Sequence, residues 1–292
     1  MSTHELAPPH AIASSPLAPA LVGQNGLITD CVIREEEGLY HRRAEEYLSS
    51  HQLRDFRRCP AYYHRKRSGM AVEPDRPAFL VGRAVHCLAI EGRAEFDRRF
   101  LVGGPINEKT GKPYGAGTKA HTDWARQQTR EVLSEEQAGP VESMAAAVQA
   151  HDLASRLFTG GVAEGVVRIP YEGVPCQIRI DYLHPSHGVI DLKTTENIDW
   201  FESDCRKYGY LHQLAFYRDV LATAAGMPPE NIPCRLVAVE KDEPYRCGVW
   251  LVTAALLDDC AQENRKAIEE LRQCRESGVW PTRYEEGRTI YA

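Results

Sequence analysis

The chain has 292 residues, a formal net charge of −6, 43% hydrophobic and 26% charged residues, an ordinary balance for a globular chain able to bury a full core. No apolar run approaches the roughly 20 residues that span a bilayer, and the N-terminus lacks a basic stretch followed by an apolar core, so neither a membrane span nor a secretory signal is expected. Nine cysteines scattered without a compact framework read as reduced thiols in a cytosol-like compartment, so a cytoplasmic location is expected.

Residues 1 to about 28 are rich in Pro, Ala and Ser without periodicity and read as a disordered tail. The rest, 29–292, reads as one domain with a helical region over 40–158 and an α/β core over 159–280. Ser49-Ser50-His51-Gln52 has the form of a capping box opening a basic helix. From Arg54 to Arg67 six basic residues (Arg54, Arg57, Arg58, Arg65, Lys66, Arg67) stand against Asp55 alone, with Tyr62 and Tyr63 between them. Cations interleaved with aromatic rings suit a nucleic-acid backbone, and they equally suit a solvated helix face. A second helix is predicted over about Phe79 to Glu91, where Phe79, Gly82, His86 and Ile90 share one face. On pattern alone, a histidine in such a stripe is a core residue. Gly103 to Gly117 reads as a long loop suited to a lid. Helices are then predicted near Thr118 to Glu136 and Val141 to Phe158.

Three strands follow. Ile178-Arg179-Ile180-Asp181-Tyr182-Leu183 and Val189-Ile190-Asp191-Leu192-Lys193 both alternate apolar and polar, the period of a half-buried strand. The turn-forming cluster His184-Pro185-Ser186-His187-Gly188 between them predicts an antiparallel hairpin. Alternation places Asp191 and Lys193 on one face, with Cα atoms about 7 Å apart. Glu164 stands on the strand before. An isolated Asp-x-Lys is usually a surface ion pair, but three acids and an amine on consecutive strands point to a hydrolytic metal site. Magnesium prefers carboxylate, water and phosphate oxygens, and an ammonium beside it steadies developing charge. A helix from about Trp200 to Ala225 carries Gln213 and Tyr217 on one face with Tyr210, a stripe that on pattern alone faces water. Strands near Cys234 to Glu240 and Cys247 to Thr253, then a helix from Ala254 to Ser277, complete the chain.

Glu164, Asp181 and Asp191-Leu192-Lys193, followed by Gln213-Leu214-Ala215-Phe216-Tyr217, resemble the PD-(D/E)XK nuclease superfamily, in particular its RecE-type (exonuclease VIII-like) branch. Leu53, Phe56, Cys59-Pro60 and Tyr63 resemble the entry helix of that branch, and Gly82-Arg83-Ala84-Val85-His86 its histidine-bearing helix. The resemblance runs from about Gly38 to Trp280-Pro281, although no Pro-Asp pair stands at Asp181. It implies an α/β restriction-endonuclease-like fold, a mixed central sheet flanked by helices with an N-terminal helical elaboration.

The resemblance further implies Lys193, Glu164, Asp181, Asp191, Gln213 and Tyr217 as catalytic groups. His86, Asp181, Asp191, Glu164 and the backbone carbonyl of Leu192 would hold Mg²⁺, with Mn²⁺ as the other candidate. On charge and position alone, Arg54, Arg57 and Arg58 of the basic run and Arg179, which shares the strand face of Asp181, are expected to meet DNA, Arg179 having the alternative of balancing local acidity. The implied activity is 5′-to-3′ resection of linear duplex ends for phage-type recombination, by a homo-oligomeric ring with a single-strand-annealing partner. An endonuclease, a RecB-like nuclease of the same fold and a catalytically idle DNA-binding module are the alternatives. The late cysteines Cys234, Cys247, Cys260 and Cys274 contain no Cys-x-x-Cys, so no iron–sulfur cluster is expected and packing is their predicted role. No Gly-rich phosphate loop follows a strand, which removes the nucleotide-binding class.

Overall fold

The computed structural model describes residues 20–71, 77–115 and 117–290. These begin with a small hairpin, β1 (Val22–Gly23) and β2 (Gly26–Leu27), and a short helix α1 (Glu37–Arg42). The helical region continues through α2 (Ser50–Arg58), α3 (Pro60–Arg67), α4 (Pro77–His86) and α5 (Arg93–Arg99). A peripheral segment carries β3 (Phe100–Val102), the hairpin of β4 (Ile106–Asn107) and β5 (Lys112–Pro113), α6 (Lys119–Ala125) and β6 (Glu131–Leu133). Helices α7 (Glu135–Ala150) and α8 (Asp152–Leu157) lead into the core.

The core comprises β7 (Val162–Tyr171), β8 (Val174–His184), β9 (Gly188–Thr195), α9 (Phe201–Lys207), α10 (Tyr210–Ala225), β10 (Cys234–Glu240), β11 (Cys247–Val252) and α11 (Ala254–Ser277). The sheet order is β11-β10-β9-β8-β7, with β9 and β10 parallel and the other neighbours antiparallel. Alternation along the strands splits their apolar side chains between two layers. Ile178, Ile180, Val189 and Leu236 join α2, α10 and α11 in one buried cluster, while Ile190, Leu192, Val237 and Val239 join α4 and α7 in the other. This is the mixed sheet between helical layers that the sequence predicts; β10 and α11 fall at their expected bounds, and β11 ends one residue early because Thr253 caps α11.

Four expectations are corrected. The tail expected over 1 to about 28 gives way to structure before its end. Residues 1–19 lie outside the described residues, but β1–β2 folds onto the domain, where Asn25 donates to the Ala224 carbonyl and Ile28 is fully buried. The basic run is two helices, because the extended backbone of Cys59 (φ −164°, ψ 104°) and Pro60 end α2 and start α3. The predicted capping box is present: Gln52 N–H donates to Ser49 Oγ, and Ser49 N–H to Gln52 Oε1. The helix expected near Thr118 to Glu136 stops at Ala125, and Glu131–Leu133 pairs with β3 instead. The helix expected from Trp200 to Ala225 is broken at Tyr208-Gly209, where Gly209 adopts the left-handed φ of +76°.

The chain after α11 lies back over α3. The rings of Trp280 and His64 stack at 4.5 Å, the Ala61 amide donates to the Pro281 carbonyl at 3.0 Å, and Arg283 pairs with Glu270 at 2.8 Å.

The turn between β8 and β9 depends on Gly188. Its φ is +71°, and a Cβ there would lie 2.1 Å from the carbonyl oxygen of Pro233. A Gly188→Ala variant is therefore expected to lose at least about 2 kcal/mol of stability, from backbone strain plus the clash. Urea denaturation of the pure protein measures it, and an unchanged midpoint counts against this account of the turn.

Candidate active site

The pairing of β8 with β9 runs from His184↔Gly188 to Tyr182↔Ile190 and stops there. Beyond that point the strands part, and Asp181 and Asp191 stand at the fork. The carboxylate of Asp181 replaces the missing strand partner: its Oδ2 accepts the Leu192 amide at 2.9 Å. The same oxygen lies 3.3 Å from His86 Nδ1, so the last turn of α4 is tied to the fork. On the next residues of β9, Lys193 Nζ reaches Asp191 Oδ2 at 2.6 Å. The gap that alternation leaves between the two side chains is thus closed by the amine itself. Asp191 is 1% exposed, and its Oδ1 accepts no hydrogen bond from the described residues.

Glu164 lies on β7 across from Asp181, in the left-handed region at φ +54°. Non-glycine residues rarely hold that conformation without a reason in the surroundings. Its Oε2 forms an ion pair with Arg179, lying 2.7 Å from Nε, while Arg179 Nη1 lies 3.6 Å from Glu37 of α1. Glu37 also pairs with Arg99, which reaches Glu91 at 2.9 Å. Arg179 is therefore committed to two carboxylates and half-buried. It lines the recess described below, and its two carboxylate partners accord with the alternative expected for it, the balancing of local acidity.

The electrostatics follow from burial. Burial pushes Asp191 up to about 6, with Lys193 opposing, and Glu164 up to about 8, with Arg179 opposing and Asp181 adding to the rise. Asp181 is raised for the same first cause. His86 is held down at about 4 by burial and by the charge of Lys193, so its ring is neutral at pH 7. Burial works to lower Lys193, but Asp191 and Asp181 outweigh it and the ammonium is kept. Tyr210 of α10 lies beneath it, with Nζ 5.0 Å from the ring centre.

Gln213 and Tyr217, one turn apart on α10, are joined by a 2.9 Å hydrogen bond from Nε2 to the phenol oxygen. Both line a recess of about 420 Å³ together with His86, Glu164, Asp181 and Lys193. The stripe that could have faced water faces the site. Arg54 and Arg57 line the same recess, and Arg58 lines the neighbouring groove of about 1010 Å³. Arg57 Nη1 donates to Asn264 Oδ1 at 2.6 Å, a neutral partner, and burial lowers its pKa to about 10. From the other half of the basic run, Lys66 pairs with Asp55 at 2.6 Å and Arg67 donates to the carbonyls of Ala44 and Glu45. No described residue of the proposed lid, Gly103 to Gly117, lines either cavity.

Three contributors to this neighbourhood escape a reading of the sequence. Glu37 sits in the run Glu35-Glu36-Glu37, which reads as solvated, Arg99 ends an unremarkable amphipathic turn, and Ser50 reads only as part of a cap. Nothing local marks them, because their roles come from contacts across the fold.

Among the described residues no three His, Cys, Asp or Glu side chains converge closely enough to form a ready-made metal cage. Each acid instead has a protein donor beside it. The donor chemistry nevertheless fits a hard divalent cation: carboxylates whose ionisation is opposed by burial, one neutral imidazole, and a buried Asp191 oxygen without a hydrogen-bond donor.

A sheet forked at an acid pair, with a lysine two residues beyond the second acid, defines the PD-(D/E)XK-like class of domains. The chain belongs to the family described as the PDDEXK-like domain of unknown function (DUF3799), which matches residues 49–290. Its fold is similar to the crystal structure of a candidate exonuclease from Eubacterium rectale, at 16% identity and a TM-score of 0.64, over 89% of this chain and 96% of that one. No curated protein matches the chain.

Removing Lys193 leaves Asp191 buried beside nothing that offsets its charge. Lys193→Met is expected to cost about 3–5 kcal/mol at neutral pH, and Asp191→Asn in the same chain to restore part of it. A double-mutant cycle by denaturant unfolding measures this. Additive losses would mean that the pair does not interact.

Proposed function

We propose that this protein is a metal-dependent DNA exonuclease that hydrolyses phosphodiester bonds at the ends of linear duplex DNA. The observation that carries the reading is the buried Asp191–Lys193 pair at the β8–β9 fork, opening through Lys193 into a recess whose other wall carries Arg54 and Arg57. Asp181, Asp191, Glu164, His86 and the Leu192 carbonyl are the groups that would hold Mg²⁺ or Mn²⁺. Bound there, the ion would acidify a water and neutralise phosphate charge.

The chain's own residues do the rest. The Lys193 ammonium, kept charged by two carboxylates, steadies negative charge gathering on the phosphate. The Gln213–Tyr217 pair presents an amide and a phenol toward the same phosphate, and Tyr210 holds the lysine from below. Neutral His86 fixes Asp181, whose carboxylate bridges the parted strands by accepting the Leu192 amide. Arg54, Arg57 and Arg58 receive the backbone. Direction from the 5′ side, a ring-shaped oligomer, an annealing partner and a role in phage-type recombination follow from the RecE-type resemblance.

A second reading, a catalytically idle DNA-binding module, draws on the pairing of each acid with a donor of the protein itself. The two are separated by comparing linear and closed-circular duplex with Mg²⁺, with EDTA, and with Asp191→Ala. Digestion of linear DNA alone is expected, lost in both controls while the variant stays folded by circular dichroism. Cutting of closed circles would replace the exonuclease by an endonuclease, and binding without cutting would leave the idle module.

Reversal of charge at Arg57 and Arg58 is expected to weaken DNA binding and to flatten its salt dependence by about one unit of log–log slope for each phosphate that the protein no longer neutralises. An unchanged slope removes α2 from the interface.

A further inference from the structure

The recess and the larger groove share part of their lining, including Tyr210 and two exposed aromatic side chains, Phe79 and Tyr208. Both residues are open to solvent, at 45% and 44% exposure. From each of them a line of residues leads inward. On α4, Phe79, Gly82 and His86 follow one another along the recess, a rise of roughly 10 Å from mouth to floor. A Cβ at Gly82 would meet nothing within 4 Å, so the middle of that wall is open space. On the opposing segment the ring of Tyr208 lies 5.8 Å from that of Tyr210, and Tyr210 lies 5.0 Å from Lys193 Nζ. Two walls, each headed by an exposed ring, therefore descend to the reactive amine.

The groove outside carries cations without acid partners. Arg58, Arg206, Lys207 and Lys266 all line it, and none of them forms an ion pair with a described carboxylate. Three other cations of the groove, Arg54, Lys241 and Arg283, are paired with Asp55, Glu196 and Glu270.

We propose that Phe79 and Tyr208 stack on the bases of a single DNA strand as it passes from the basic groove into the recess, so that the site accepts unpaired ends and a duplex end must fray before it reacts. This rests on the nucleic-acid reading above and deepens it. Inside a duplex each base has both faces covered and only the terminal pair offers one outer face, whereas every base of a single strand offers its faces freely. The floor of the recess favours the same occupant. Asp191 is 1% exposed and the Lys193 side chain 15%, so a strand must be threaded in, away from its complement, to reach them.

The test measures fluorescence anisotropy of labelled oligothymidylate and of a blunt hairpin duplex in EDTA, where no cleavage intervenes. The wild-type chain is expected to bind oligothymidylate more tightly than the hairpin. Combined Phe79→Ala and Tyr208→Ala is expected to weaken oligothymidylate binding at least about tenfold, as loss of one base stack or more implies, and to leave the hairpin unchanged. Phe79→Trp with Tyr208→Trp retains the preference. Unchanged oligothymidylate binding in the alanine variant, or an equal loss on both probes, overturns the proposal while leaving the nuclease reading in place. Failure of the wild type to bind oligothymidylate also overturns the proposal, and the nuclease reading is decided separately by the digestion of linear and circular duplex with Mg²⁺.

Discussion

The departure of β9 from β8 at Asp181 and Asp191 is the constraint on which the rest of the molecule depends. Two antiparallel strands that separate must find other partners for their amides and carbonyls, or leave them buried at a cost of about 1–3 kcal/mol each. Here the Asp181 carboxylate takes the Leu192 amide, and β10 takes the other edge of β9. The opening so created admits side chains from both helical layers into one place: His86 from one, Gln213 and Tyr217 from the other. A sheet fully zipped at this point would have kept those layers apart.

Such an opening gathers negative charge where water is scarce. Three carboxylates are buried around the fork, and burial is the first cause of their raised pKa values. The protein offsets that charge twice, with Lys193 against Asp191 and with Arg179 against Glu164. The second arrangement extends outward through Glu37, Arg99 and Glu91, drawing α1 and α5 toward the sheet. The left-handed backbone of Glu164 falls at the same place, where its carboxylate meets the Arg179 guanidinium.

The sheet is legible in the sequence because alternation reports burial directly. Ile178 to Leu183 and Val189 to Lys193 can be read as strands, and the turn between them by its Pro and Gly. The long helix α11 is legible from Ala254 to Ser277 because Thr253 caps it and Gly278 ends it. Breaks within helices are harder. Pro60 announces one, yet the polar run on both sides of it reads as continuous, and Tyr208-Gly209 carries a single glycine inside an otherwise helical composition. Strand β6 escapes because Glu131-Val132-Leu133 is too short to show a period. Of the site, the residues on adjacent strands are visible as a group, since strand spacing alone brings them together. Glu37 and Arg99 are not, because they meet each other and the sheet across long stretches of chain, and no local pattern encodes that distance.

The segment beyond α11 has a consequence for handling the protein. Trp280 lies flat on His64, Pro281 receives the Ala61 amide, and Arg283 both pairs with Glu270 and borders the basic groove. These last residues look like a dispensable appendage in a secondary-structure diagram, since those described hold neither helix nor strand. They act instead as a clasp across the back of α3, and shortening the chain at Gly278 to tidy an expression clone would loosen one bank of the groove.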